Sequence, residues 1–153
     1  MMRATLRLGT FVAFVASSSP TAATQNEAIP ADLLIKLERT ACFGTCPVYS
    51  VTIDAKGAVV FEGTKSVGSP GRHTDNVSVA AVLATARRIG FFDLNDSYRA
   101  PIMDLPTTFV TITADGRSKR VEDYFGAPQG LKELEKQIDA TAGTDRWIRA
   151  VQR

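Results

Sequence analysis

The spacing of apolar residues along this chain switches twice from a period of two to a period between three and four, and that alternation sets its fold class. Leu33, Ile35 and Leu37 alternate with Leu34, Lys36 and Glu38, as a half-buried strand requires. Tyr49, Val51 and Ile53 alternate with Ser50, Thr52 and Asp54; a Lys56-Gly57 turn and the return arm Ala58 to Glu62 complete a hairpin. Val79, Val82, Leu83, Ala86 and Ile89 then recur at helical spacing, with Ser78 placed to cap the helix and Gly90 to end it. The plan repeats with a strand at Thr108 to Thr113, an Asp115-Gly116 turn and a return arm at Ser118 to Tyr124. Pro128 opens a second helix, whose Leu131, Leu134, Ile138 and Ala142 share a face before Gly143.

One apolar face per strand and one stripe per helix are buried together if the helices lie on one side of a sheet. The expected architecture is therefore α+β: a single antiparallel sheet of about five strands with two helices packed on one face. VTIDAKG (51–57) and VTITADG (110–116) agree at five of seven positions, which suggests duplicated hairpin-helix units, with convergence of hairpin sequences as the alternative. Gly63 to Asn76 is expected to be a polar loop that exposes His73. A terminal helix from Thr144 to Gln152 is expected to lay Trp147, Ile148 and Val151 over the edge of the core.

The N-terminus has a different character. Arg3 and Arg7 precede the apolar stretch Leu8 to Ala16, followed by small residues through SSSPTAAT, the composition of a secretory signal. A membrane span needs about 20 apolar residues, and a helix of about nine covers roughly 14 Å, so this stretch does not read as an anchor. The expected division is a signal peptide at 1–23, a linker at 24–32 and a single domain at 33–153, placing the protein in the periplasm or outside the cell. Without Arg3 and Arg7 the chain has 16 basic and 16 acidic residues. That balance gives no electrostatic pull towards nucleic acid or anionic lipid.

Export bears on the segment ERTACFGTCPVYS (38–50), which holds both cysteines of the chain. In an oxidising compartment two lone cysteines are normally joined. Residues four apart in a turn can bring their α-carbons within bridging range, with Gly44 free to take positive φ and Pro47 directing the exit. A ring of this size contributes about 2 kcal/mol. A redox couple would ordinarily use C-x-x-C at a helix N-terminus, whereas this pair has one residue more and lies between strands. A zinc site would need ligands beyond two thiols and the single His73.

Other constellations are weaker. Asp93, Asn95, Ser97 and Asp104 follow a calcium-loop spacing, but Tyr98 stands where that loop needs glycine. Asp96, Tyr98 and Asp104 could converge as acid-base groups. Phe109 takes the place of Ser50 in the aligned repeat and so falls on the otherwise polar sheet face beside Thr52 and Thr111. No phosphate loop, dinucleotide fingerprint or H-E-x-x-H motif occurs, and nothing in the sequence calls for a cofactor or metal.

The run C-F-G-T-C-P-V-Y, with GFFDLNDSY (90–98), Asp104-Leu105-Pro106, Asp115-Gly116 and Trp147, resembles the bacterial family described as domain of unknown function 6438. The resemblance implies an exported single domain and no particular activity. The leading expectation is a non-catalytic binding module stapled by Cys42 and Cys46, with Phe43, Gly44, Tyr49, Asp96, Tyr98, Asp104 and Phe109 as candidate contacts and another exported protein as partner. A thiol-disulfide enzyme using the same cysteines and an exported protein inhibitor are the competing readings.

Overall fold

The computed structural model describes residues 28–149. The signal peptide at 1–23 and Val151 of the expected terminal helix lie outside them. Seven strands form one sheet: β1 (Leu34–Arg39), β2 (Val48–Asp54), β3 (Ala58–Lys65), β4 (Gly71–Asn76), β5 (Ser97–Tyr98), β6 (Thr108–Ala114) and β7 (Arg117–Asp123). Their order across the sheet is β4-β3-β2-β1-β6-β7-β5. Every neighbouring pair is antiparallel except β5 and β7, which run parallel. Helices α1 (Ala80–Arg88), α2 (Gln129–Ala142) and the short α3 (Asp145–Ile148) complete the fold with a 3-10 turn at Phe91–Asp93.

The α+β class holds, but the expected architecture is corrected on three counts. Among the described residues there are seven strands, the sheet is mixed, and there are three helices. The strands that escaped the pattern are both edges. Gly71–Asn76 reads GRHTDN, with no apolar alternation, because an edge strand of this kind buries little on either face. The region expected to be a loop instead lengthens β3 to Lys65 and adds β4. β5 has two residues, too few for any period.

The strands pack Ile35, Leu37, Val51, Ile53, Phe61, Val110, Ile112 and Val121 against Val82 and Leu83 of α1 and Leu131, Leu134 and Ile138 of α2 in one core. Ser78 does not cap α1: the N-cap position falls on Val79, without a side-chain hydrogen bond. Gly90 and Gly143 end their helices in the left-handed conformation. His73 is half-buried rather than an exposed loop residue, its ring stacked on Trp147 with centroids 5.6 Å apart. Trp147 in turn lies 4.9 Å from Phe61 and closes that edge of the core as expected, although α3 is shorter than the sequence suggests.

The sheet order shows how the two hairpin-helix units stand to one another. Val51 and Val110 both face Leu37, and Ile53 and Ile112 both face Ile35, so β2 and β6 flank β1 in the same register and direction. Their hairpins open to opposite sides, β3 beyond β2 and β7 beyond β6. Both helices cover the same face, so the two hairpin-helix units are of opposite hand and no rotation superposes them. In both VTI motifs the valine and isoleucine point to the core beside β1 before the strand turns. At the first turn the Asp54 carboxylate accepts the N–H groups of Lys56 and Ala58. Gly57 is required there, since its φ is 82° and a Cβ would lie 1.8 Å from the Val77 carbonyl oxygen.

Candidate functional site

The strands place one end of β1, β2, β6 and β7 together, and two loops project from it. The cysteine loop, 40–47, joins β1 to β2, and the 99–107 loop joins β5 to β6. Cys42 and Cys46 form a disulfide with α-carbons 5.7 Å apart. The Gly44 N–H donates to the Cys42 carbonyl at 2.9 Å, with φ at 151°. The two loops are tied along their backbones. The Thr40 N–H donates to the Thr107 carbonyl at 3.0 Å, and the Thr107 N–H donates to the Thr40 hydroxyl at 2.9 Å. The Phe43 N–H donates to the Asp104 carbonyl at 3.3 Å. Past β7, the Tyr124 hydroxyl donates to the Ile102 carbonyl at 2.7 Å and accepts the Leu105 N–H at 3.4 Å.

This tip is apolar. Among the described residues, seven large hydrophobic side chains are exposed, and five of them, Phe43, Ile102, Met103, Leu105 and Phe125, belong to these tied segments. Phe43 is 88% exposed and Met103 81%, so the sequence has spent two large apolar side chains where they bury almost nothing.

A polar network supports the tip. The Arg39 guanidinium, at the end of β1, donates to Asp139 Oδ2 at 2.8 Å, to the Tyr49 hydroxyl at 3.0 Å and to the Thr108 hydroxyl at 2.9 Å. Tyr49 donates to Asp139 Oδ1 at 2.7 Å, where the Thr144 hydroxyl also donates at 2.9 Å. Burial, and next the Asp139 charge, raise the Tyr49 phenol well above its usual range, so it stays a neutral donor. Burial works against the Arg39 charge, but Asp139 outweighs it and holds the guanidinium protonated. With all three nitrogens engaged, Arg39 braces the strands rather than offering an anion site. Alongside, Lys132 donates to Asp123 Oδ2 at 2.7 Å, and Glu135 lies buried next to them. Burial, then repulsion from Asp123, raise the Glu135 carboxyl to about 7.

The sequence candidates divide among different places. Phe43, Gly44 and Asp104 meet at the tip, Asp104 through its backbone. Tyr49 is 5% exposed and belongs to the supporting network. Asp96 pairs with Lys119 at 2.6 Å, and the Tyr98 hydroxyl accepts the Asn95 N–H at 3.2 Å, so Asp96, Tyr98 and Asp104 each have separate hydrogen-bonding roles. Ser97 donates to Glu122 at 2.8 Å. Phe109 does fall on the helix-free sheet face, but the Arg120 guanidinium covers its ring at 4.0 Å. Sequence reasoning missed Asp139, Glu135, Asp123 and the apolar 102–105 segment. Position 135 carried a signal, since it lies four residues after Leu131 and three before Ile138, on the stripe that must face the core.

Among the described residues no group of three His, Cys, Asp or Glu side chains is arranged to hold a metal ion. No helix there is long and apolar enough to cross a membrane. A family model described as domain of unknown function (DUF6438) matches residues 33–142, spanning the sheet from the start of β1 through the end of α2. A comparison with curated proteins finds no match.

Proposed function

Because the chain belongs to the DUF6438 family, whose description carries no reaction, we propose from its geometry that it is an exported, non-catalytic binding module whose stapled tip grips a second exported protein. The supporting observation is that, of the seven large apolar side chains exposed among the described residues, Phe43, Ile102, Met103 and Leu105 lie on two loops fastened to one another and Phe125 on the adjoining segment past β7. Water-exposed Phe43 and Met103 cost solubility and contribute nothing to the core, while their desolvation by a partner is favourable. The disulfide and the loop-to-loop hydrogen bonds hold the tip in advance, which reduces the entropy lost on binding. The balance of 16 basic and 16 acidic residues that remains without Arg3 and Arg7 favours a protein partner over nucleic acid.

Photo-crosslinking side chains placed at 43 and 103 in the producing cell are expected to trap a protein, and the same group at Lys56, in the turn at the far end of the sheet, to trap none. Equal adducts at 56, or none at any position while the purified chain remains monomeric, overturn the reading. The Cys42→Ser/Cys46→Ser double variant separates a staple from a thiol enzyme. A staple loses stability and adduct yield in proportion. A thiol enzyme loses exchange with small disulfides while the adducts persist.

A further inference from the structure

Asp123 and Glu135 are each 6% exposed at the junction between the end of β7 and the second turn of α2. Lys132 occupies Asp123 Oδ2, and the Arg39 guanidinium stands 4.0 Å from Glu135 Oε2. The other oxygen of each, Asp123 Oδ1 and Glu135 Oε1, is buried with no hydrogen-bond donor. Two ionised carboxylates would leave both these oxygens desolvated and repelling, whereas one proton turns one of them into a donor for the other. We propose that Glu135 keeps a proton in the fold, directed at the orphaned Asp123 oxygen, and that its loss loosens the hold of α2 on the end of β7 and with it the apolar tip.

The groups facing the pair are few. Arg39 approaches from β1, Lys132 and Asp139 from α2, and the Tyr49 hydroxyl from β2 is held by Asp139. From β6 comes only the uncharged Thr108 hydroxyl, which engages Arg39. Burial and the neighbouring Asp123 carboxylate place the Glu135 titration at about 7, so the switch works near neutrality. Its route to the tip is short. Tyr124 follows Asp123 directly, and its hydroxyl fastens the 102–105 segment. The backbone N–H groups of Tyr124 and Phe125 both donate to the Tyr98 carbonyl, at 3.0 and 3.1 Å. Asp139, one turn beyond Glu135, holds Arg39, from which the cysteine loop departs, and Tyr49, the second residue of the strand it enters.

This inference rests on the tip being the binding surface, but its test needs no partner. Carboxyl-detected NMR on the full chain is expected to show Glu135 titrating near pH 7. Hydrogen exchange at the Tyr124 and Phe125 amides, corrected for the intrinsic rate, is expected to lose protection about tenfold between pH 5.5 and 8.5. In Glu135→Gln, whose amide donates at any pH, that loss is expected to vanish. In Asp123→Asn, which removes the repelling charge, the Glu135 midpoint is expected to move down. A Glu135 midpoint in the ordinary range near 4.5, or the same pH dependence in the parent and Glu135→Gln, overturns the proposal. A failed partner capture alone bears on the binding reading and not on this proton.

Discussion

At the scale of single residues, Asp139 has the widest reach, accepting hydrogen bonds from Arg39, Tyr49 and Thr144. Asp139→Ala is expected to cost about 3 kcal/mol, because it strands a half-buried guanidinium and a buried phenol rather than merely deleting one contact. Urea unfolding at pH 7 measures it, and Arg39→Ala/Asp139→Ala is expected to cost less than the sum of the single changes. None of this was legible from the sequence. Arg39 and Asp139 are 100 positions apart, and a helix pattern places an aspartate beside Ile138 on the flank of its stripe without naming its partner. Cys42 and Cys46 were legible because the chain offers no other pairing, and the tied partner loop was not, because Ile102 to Leu105 has no periodicity to read.

At the scale of elements, apolar period was a reliable guide wherever an element buries one face, as in β1, β2, β6, α1 and α2. It failed at β4 and β5, which border solvent and are held chiefly by backbone pairing to β3 and β7. The polar β4 is anchored instead by α3: the Gly68 and Ser69 N–H groups donate to the Ile148 and Trp147 carbonyls at 2.9 Å, and Arg146 pairs with Asp75. Trp147→Ala removes the ring between Phe61 and His73 and is expected to cost about 3 to 5 kcal/mol. Because the helix backbone remains, the change is expected to expose β4 selectively. Amide exchange at residues 71–76 should rise before that of β1 or β6, and a uniform rise across the sheet would contradict this division.

At the scale of the whole molecule, charge sets opposite limits on stability. Lys36 and Arg120 outweigh burial at Glu38, and Arg99 outweighs it at Glu122, so both carboxylates sit below their usual range. Their contribution is present above about pH 4.5 and lost as pH falls through their folded values. Glu135 acts in the other sense: its raised value gives stability that is full below 4.5 and declines as pH climbs towards 7. The thermal midpoint is therefore expected to peak near pH 5, and in Glu135→Gln the decline above the peak is expected to flatten. Melting curves across pH 3 to 9 check both limbs. The opposite hand of the two hairpins carries a separate consequence for assembly. Since β1 is the one strand between them among the described residues, the first hairpin with β1 and β4 makes a four-stranded piece whose open side awaits a strand made some seventy residues later. A chain severed in the 99–106 connection would yield two fragments, each with an unpaired border complementary to the other. Mixing them should rebuild the molecule without a covalent link, as a two-part reporter does.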